Sequence, residues 1–329
     1  MRYFSSEGGG CNAESGMQVD VPVLIAALES NIASVVFGKP DVIRLCTIAL
    51  LAGEHILLED VPGVGKTLVA KALSRSVSGD FCRIQFTPDL LPSDIIGTSV
   101  YNTKTGEFVY NRGPIFANIV LADEVNRTTP RTQSALLEAM SDRQVSVDGK
   151  THPLPRPFLV IATQNPFEFE GTYPLPESQL DRFLLRTRIG YPERQEERQV
   201  LVAHRDGEPV EKLEAVLSRE QVLQLQRAVR GVAVDETIND YILDISEATR
   251  ASEEVYAGVS TRGSLLLYRA SQAMALADGR DYVVPDDVKR LAVPVLAHRV
   301  ITRSYIHSGQ RAASDSLIER IMDELPVPV

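Results

Sequence analysis

The sequence predicts an α/β fold with a parallel sheet, followed by an all-α domain, and three observations support this prediction. Short apolar runs alternate with helical patterns over residues 21–192, and strand patterns vanish beyond Pro192. The run at residues 119–122 is apolar on both faces, which is typical of a parallel strand that helices cover on two sides. A length of 329 residues also fits about two domains.

The composition excludes several classes of protein. Hydrophobic residues make up 44% and charged residues 24% of the chain, unlike disordered or fibrous proteins. The net charge of −10 argues against a protein that coats nucleic acid through bulk charge. No apolar run approaches the roughly 20 residues that cross a bilayer, and residues 1–16 lack the apolar segment of a signal peptide.

The three cysteines are too few and too scattered for a disulfide framework or a zinc site. Cys46 and Cys82 lie in apolar stretches, where we expect ordinary core residues, and Cys11 lies in a predicted flexible tail at residues 1–20. We therefore expect a reduced, cytoplasmic protein that does not associate with membranes.

The predicted elements of the α/β part follow from apolar spacing. Its strands are predicted at residues 55–59, 82–86, 118–122 and 158–162. Val69, Leu73 and Val77 repeat every four residues, as in a helix that follows the first strand. Thr129 is placed to cap a second helix whose first residue is Pro130.

The linker and all-α domain are predicted at residues 193–329. Ser218 and Gln221 have the spacing of a capping box at a helix start. Asp235 opens another helix, a third spans about residues 262–277, and Pro285 starts a fourth.

A glycine-rich segment follows the first strand and opens the helix after it. Backbone N–H groups and a helix N-terminus at such a place attract phosphates. Lys66 is predicted to reach the β- and γ-phosphates, and the Thr67 hydroxyl to bind Mg²⁺. The consensus has glycine where this chain has Asp60, and a plain glycine turn with a surface lysine is the alternative. The predicted nucleotide-binding residues of this segment are Pro62, Gly63, Val64, Gly65, Lys66, Thr67 and Leu68.

Two carboxylates follow the buried strand at residues 118–122. Asp123 at the tip of a neighbouring parallel strand can hold Mg²⁺, and Glu124 can orient or deprotonate an attacking water. Two solvated loop acids are the alternative, but an apolar strand and an upstream phosphate loop favour ATP hydrolysis. Asn165, after the strand at residues 158–162, is a candidate sensor of the γ-phosphate, with an Asn-Pro turn residue as its alternative.

Several long motifs in order resemble the MoxR family of AAA+ ATPases. They are EDVPGVGKT at residues 59–67, DEVNRTTPRTQSALLEAM at residues 123–140, GTYPLPE at residues 171–177 and SQLDRF at residues 178–183. The resemblance covers nearly everything from residue 21 to the C-terminus. It implies an AAA+ P-loop NTPase core with a five-stranded parallel sheet, an all-α lid, and ATP and Mg²⁺ as cofactors, and the family tolerates an acidic residue at position 60.

The resemblance also implies roles for residues outside the phosphate loop. Arg182 matches the arginine finger, which reaches the nucleotide of an adjacent subunit, so a ring, expected to be a homohexamer, is implied. Arg262 matches sensor 2, which contacts the γ-phosphate from the lid; a cation at a helix N-terminus is otherwise poorly placed. Val36, Phe37 and Gly38 match a segment near adenine. The alternatives are a surface arginine for Arg182, a helix-terminal arginine for Arg262 and an apolar loop for residues 36–38.

Two hairpin insertions are predicted within the α/β part. Residues 97–116 have the pattern of a hairpin that interrupts a helix, and Asp148-Gly149 is a strong turn signal within residues 143–153. Both resemble inserts of the AAA+ branch that includes magnesium chelatase and the MCM helicases. In a ring such hairpins face the pore or a partner, and two decorative hairpins are the alternative.

The leading functional prediction is a MoxR-type ATPase that remodels a protein client, with a von Willebrand factor A domain protein as the partner implied by the resemblance. A metal-chelatase-type motor subunit is the first alternative. A nucleic-acid translocase is disfavoured because the hairpins carry few cations, namely Lys104, Arg112, Lys150 and His152. A small-molecule kinase is a further alternative. The match of Arg182 to an arginine finger argues against it, because a kinase of this kind would need no finger from a neighbouring subunit.

Overall fold

A computed structural model of the chain describes residues 20–166, 171–303 and 310–328. The predicted tail at residues 1–20, with Cys11, lies outside these ranges except for Asp20, whose side chain caps the first helix. The helices are α1 Val21–Ala33, α2 Pro40–Ala52, α3 Lys66–Ser76, α4 Pro92–Ile96, α5 Pro130–Asp142, α6 Glu177–Leu180, α7 Arg194–Ala203, α8 Arg219–Val229, α9 Glu236–Ala251, α10 Thr261–Ala277, α11 Pro285–Leu296 and α12 Gln310–Glu324. The strands are β1 Ile56–Glu59, β2 Val77–Ser78, β3 Phe81–Gln85, β4 Gly97–Asn102, β5 Glu107–Arg112, β6 Ile119–Asp123, β7 Gln144–Val147, β8 Lys150–Pro153, β9 Leu159–Gln164, β10 Leu185–Thr187, β11 Leu217–Ser218, β12 Val255–Ala257 and β13 Ile301–Thr302.

Five parallel strands form the central sheet, in the order β3-β6-β9-β1-β10. This confirms the predicted fold class and all four strands predicted from apolar runs. The fifth strand, β10, has only three residues with Arg186 in the middle, so it has no apolar run to indicate it.

Apolar cores cover both faces of the sheet, as the doubly apolar strands predict. On β1, Ile56 and Leu58 belong to a core that also includes residues of α1, α2 and α3, whereas Leu57 belongs to the core with α5 on the opposite face. The first core continues into the part of the chain after residue 216, which we call the lid. The lid and the sheet are therefore joined by continuous apolar packing.

The four helices predicted in the lid are confirmed as α8 to α11, and the side chains of Ser218 and Asp235 cap α8 and α9. Strand structure does not vanish after Pro192, however. The strand β11 pairs with β2, and β12 pairs with β13. Each of these strands has two or three residues, which is too short to produce an alternating pattern.

Two further expectations need correction. Thr129 does precede α5, but its side chain caps no backbone N–H, and its Oγ1 instead lies 3.3 Å from the Oγ1 of Thr132. Cys46 is buried as expected, whereas Cys82 is only half-buried because β3 is an edge strand. Among the described residues no helix combines the length and the apolar character needed to span a bilayer.

Both predicted hairpins are present as the antiparallel pairs β4-β5 and β7-β8. Asp148 and Gly149 both have positive φ, of 51° and 72°, as a tight hairpin turn requires. The first hairpin does not interrupt a helix, because α4 precedes it but no helix follows before β6. At its base a Cβ on Gly97 would lie 2.2 Å from the Asn111 carbonyl oxygen, so the two strands approach too closely for any other residue.

A buried histidine ties three elements together at the edge of the sheet where the strands begin. The Nδ1 of His55 accepts a hydrogen bond from the Val160 N–H at 3.0 Å, and its Nε2 lies 3.1 Å from the Met140 carbonyl oxygen. The pKa of His55 is lowered to about 4, mainly by burial; the Met140 contact opposes this effect, and the charges of Arg143 and Arg262 add to it. The neutral ring therefore belongs to the folded state.

We expect the free energy of unfolding to fall as the pH drops from 6.5 towards 4. In this window His55 is protonated in the unfolded chain but stays neutral in the folded one, and this difference removes up to about 3 kcal/mol of stability. Denaturant unfolding at several pH values measures this slope. His55→Asn should reduce the slope while lowering stability at pH 7, and the part that remains is expected from the buried His298, whose pKa burial also lowers. His204→Asn serves as the matched control. An unchanged slope in His55→Asn would contradict the assignment.

Candidate nucleotide-binding and hydrolysis site

The predicted phosphate loop connects β1 to the N-terminus of α3. Gly63 and Gly65 have φ of 85° and 95°, a region that residues with side chains rarely adopt. A Cβ on Gly63 would meet no atom within 4 Å, so this part of the loop is an open cradle rather than a packed turn. Lys66 Nζ donates to the carbonyl oxygens of Asp60 and Val61, at 2.5 and 3.3 Å. An open loop of N–H groups at a helix start fits a bound phosphate chain.

Asp60 explains why this loop departs from the glycine consensus. Its Oδ1 accepts from the N–H of Val61 at 2.8 Å, and its Oδ2 accepts from the N–H groups of Ile189 and Gly190 at 2.9 and 2.7 Å. The carboxylate thus satisfies three backbone donors and ties the start of the phosphate loop to the segment after β10. A glycine at this position would leave these donors without that partner.

The segment predicted to lie near adenine reaches the same neighbourhood. Lys39 Nζ donates to the Tyr191 carbonyl oxygen at 2.8 Å, next to the residues that Asp60 holds. Val36 is buried, Phe37 is half-buried and Gly38 has a φ of 68°. The turn between α1 and α2 and the start of the phosphate loop are therefore anchored to the same segment, residues 189–191, and the contact with adenine stays a prediction.

The acidic pair is held by one hydroxyl group on the neighbouring strand. Thr163 Oγ1 donates to Asp123 Oδ1 at 2.6 Å and accepts from the Glu124 N–H at 2.9 Å. Glu124 has a φ of 59°, so the chain turns sharply where β6 ends. This arrangement fixes the Asp123 carboxylate and the Glu124 backbone relative to β9.

A second pair of side chains contacts the same carboxylates from β3. Arg83 donates to Asp123 Oδ2 through Nη2 at 2.6 Å and to Gln85 Oε1 at 2.8 Å. Gln85 Nε2 donates to Glu124 Oε2 at 2.7 Å, and Arg127 lies 3.4 Å from the same oxygen. Charge-assisted hydrogen bonds of this length hold both carboxylates in a fixed orientation.

The candidate sensor Asn165 is buried directly after β9. Its carbonyl oxygen accepts from Asn126 Nδ2 at 3.1 Å, which links it to the loop that carries Glu124. Gln133 Nε2 donates to the carbonyl oxygens of Val125 and Tyr173 at 3.1 and 2.9 Å. The loops after β6 and β9 therefore form one hydrogen-bonded unit beside the acidic pair.

Oxygen ligands are the chemistry that Mg²⁺ prefers, and the donors here match it. Thr67 lies in the first turn of α3, and Asp123 ends β6, at the same edge of the sheet. The hydroxyl of Thr67 and the carboxylate of Asp123 are the residues that would hold the ion. The set therefore fits a magnesium-nucleotide complex.

Arg182 and Arg262 lie at the opposite edge, where the strands begin. Arg182 precedes β10, and its Nη1 donates to the Leu137 carbonyl oxygen at 2.7 Å and to Ser141 Oγ at 2.6 Å. The Oγ of Ser260, which caps the helix that carries Arg262, lies 3.5 Å from Asp181. The four residues of β1 separate this edge from the phosphate loop by about 13 Å. The structure does not bring either arginine to the phosphate loop of its own chain.

Comparisons with known proteins agree with this geometry. The family model of the ATPase family associated with various cellular activities (AAA) matches residues 55–185, and the AAA lid domain model matches residues 247–321. A crystal structure of a proposed ATPase from Cytophaga hutchinsonii has a TM-score of 0.84 and 38% identity, covering 94% of this chain and 96% of that chain. The sheet, the lid and these matches define an AAA+ ATPase.

Two curated relatives narrow the class to a family. Chaperone MoxR1 of Mycobacterium tuberculosis is 40% identical, with 95% of this chain and 84% of that protein covered. The uncharacterized protein YeaC of Bacillus subtilis is 51% identical, with 95% of this chain and 97% of that protein covered. The chain belongs to the MoxR family.

Sequence reasoning missed the residues that hold the acidic pair. These residues are Thr163, Arg83 and Gln85. They are polar residues on strands, and a solvent-exposed face of a strand would account for each of them without any role in the site. One signal was available: Arg83 and Gln85 are two residues apart, so both point to the same face of β3 as that strand ends. Which carboxylates they meet depends on the parallel pairing of Gln85 with Asp123, which no local pattern predicts.

Asp60→Gly restores the consensus glycine, but it should lower the stability of the protein without improving nucleotide binding by the loop. The three N–H groups would lose their acceptor, which we expect to lower the free energy of unfolding by about 2–4 kcal/mol. Binding of a fluorescent ATP analogue should not tighten, because the loop start would lose its tie to residues 189–190. Denaturant unfolding measures the loss of stability. The unfolding free energy of Asp60→Asn is expected to lie between those of the wild type and Asp60→Gly. Wild-type stability in Asp60→Gly would refute this role.

Proposed function

We propose that this chain is a magnesium-dependent ATPase that works as a ring and remodels a protein client. The observation that carries the catalytic part is the bridge from Thr163 to both Asp123 and Glu124 beside the phosphate loop. It joins a candidate metal ligand and a candidate base in one rigid group. Family membership adds nucleotide binding and a chaperone-named relative.

In this proposal the chain's own residues divide the chemistry between them. The loop N–H groups and Lys66 bind the phosphates, and Thr67 with Asp123 would hold Mg²⁺, which when bound neutralises charge on the phosphates. Glu124 accepts the proton of the attacking water as the water oxygen bonds to the γ-phosphorus and the bond to the β,γ-bridging oxygen breaks. Asn165 orients that water, and Thr163 keeps Glu124 aligned.

The position of Arg182 supports catalysis between subunits. Since it lies at the edge of the sheet opposite its own phosphate loop, it can stabilise transition-state charge only on the nucleotide of a neighbour. Arg262 is proposed to act on the same neighbouring nucleotide, because its helix starts beside Asp181. A head-to-tail contact of this kind closes into a ring, and we propose a homohexamer.

Client contact is proposed for the hairpin β4-β5. Tyr101 and Phe108 are 53% and 73% exposed, with ring centroids 5.3 Å apart, and Val100 and Val109 are also exposed. An apolar patch on an exposed hairpin is suited to holding an unfolded or flexible polypeptide. A von Willebrand factor A domain protein is proposed as the partner that delivers clients, on the family resemblance alone.

Mixed rings test whether the finger acts between subunits. Glu124→Gln and Arg182→Ala should each lower ATP turnover at least tenfold when assayed alone. An equimolar, exchanged mixture should recover roughly a quarter of wild-type turnover, since one in four interfaces joins an intact Glu124 to an intact Arg182. Glu124→Gln mixed with Lys66→Ala should recover nothing, because both defects lie in the same site. No recovery in the first mixture would exclude action in trans.

Client trapping tests the hairpin. The Glu124→Gln chain should retain ATP and capture its client in a pull-down, and adding Phe108→Ser should reduce capture at least fivefold by removing apolar contact area. Tyr256→Ser is the matched control, because Tyr256 is 79% exposed but lies in the lid. With Glu124 intact, Phe108→Ser should leave basal ATP turnover unchanged. If Glu124→Gln captured as much client with Phe108→Ser as without it, the hairpin β4-β5 would be ruled out as the client-binding surface.

A further inference from the structure

A buried arginine crosses from the lid to the segment that carries Arg182. Arg299 follows α11, and its side chain is only 1% exposed. Its Nε donates to Asp181 Oδ1 at 2.9 Å, and its Nη atoms donate to the carbonyl oxygens of Asp181 at 3.2 Å, of Leu184 at 3.3 Å and of Phe183. One lid side chain therefore holds the backbone of residues 181–184 at several points.

This contact is electrostatically demanding. Burial lowers the pKa of Arg299 to about 10, and the Asp181 carboxylate opposes that effect. The guanidinium is still charged at neutral pH, and a buried charge is tolerated only when it is paired and fully hydrogen-bonded. Residues 181–184 supply the carboxylate and most of the carbonyl groups, so Arg299 and this segment constrain each other's position.

The residue held between these contacts is the candidate finger. Asp181 and Phe183 flank Arg182, whose own side chain is half-buried and contacts only the end of α5 among the hydrogen bonds described for it. A shift of the lid at Arg299 would therefore move the backbone that carries Arg182. The buried His298 reinforces this point, with its Nε2 at 3.3 Å from the Phe183 carbonyl oxygen.

We propose that Arg299, through Asp181, is a positioning residue that sets the finger Arg182 according to the position of the lid. The proposal rests on the proposed role of Arg182 at a neighbouring nucleotide. It makes the lid of one subunit a control on hydrolysis in the next. A plain structural tie between lid and core is the competing explanation, and it predicts lower stability without a selective effect on the chemical step.

The variants Asp181→Asn and Arg299→Lys separate these explanations. Asp181→Asn removes the charge while retaining an acceptor, and Arg299→Lys keeps the charge but cannot reach several carbonyl oxygens at once. We expect each to lower kcat at least tenfold with KM for ATP changed by less than about twofold. Arg269→Gln is the matched control, because Arg269 also joins lid and core, through Glu54 at 2.9 Å, without touching residues 181–184. This control should retain turnover.

Two readouts go beyond a loss of activity. Asp181→Asn mixed with Glu124→Gln should recover the same fraction of turnover as Arg182→Ala mixed with Glu124→Gln, because the defect would lie in the finger supplied to a neighbour. The double variant Asp181→Asn/Arg182→Ala should be no slower than Arg182→Ala alone, as expected for residues that act as one unit. A further tenfold loss in the double variant, or no recovery in the mixture, would overturn the proposal.

The outcomes also distinguish the two levels of the argument. If Arg182→Ala itself retained full turnover in assembled rings, the proposed finger would be wrong and this inference would fall with it. If Arg182→Ala were inactive but Asp181→Asn and Arg299→Lys were both fully active, only the positioning role would be wrong. Thermal melting of each variant is measured first, and should one of the pair fail to fold, the other variant decides.

Discussion

The parallel alignment of β6, β9 and β1 is the constraint on which the rest of the site depends. Their register places Ala122 beside Ala162 and Leu58 beside Thr163, so the three strands end together. Three features therefore lie at one edge of the sheet because each follows directly from a strand: the phosphate loop, the acidic pair and the candidate sensor. A one-residue slip would reverse the faces of a strand and carry Thr163 away from both carboxylates.

Buried polar groups convert this alignment into a rigid site. Asp60 joins the phosphate loop to the segment after β10, and Thr163 joins β9 to both residues of the acidic pair. Such groups are expensive to leave unpaired, so each fixes the segments that supply its partners. Asp60, which replaces the consensus glycine, therefore anchors the loop to the segment after β10.

The sequence was sufficient for the fold class, because doubly apolar strands, capping residues and glycine turns are local signals. It also predicted that the glycine-rich loop and the acidic pair follow strands directly, and the structure places both at strand ends. Thr163, Arg83 and Arg299 could not be predicted in the same way, since their importance lies in partners 40 to 118 residues away along the chain. Helix α5 was placed correctly from Pro130, but the side-chain bond of Thr129 depends on where neighbouring threonines point.

The polarity of a parallel sheet has a consequence for assembly. The phosphate loop follows the end of β1, whereas Arg182 precedes β10, which runs parallel to β1, so Arg182 lies far from the phosphate loop of its own chain. Folding the arginine back would require crossing the length of β1, about 13 Å, which exceeds the reach of an arginine side chain. In the proposed ring, each subunit would offer its phosphate loop at one edge and Arg182 at the other, so the contact between subunits would be heterologous. The proposed cooperation between neighbours would then follow from the direction of the strands, and the contact of Arg299 with Asp181 lies where the proposal needs it.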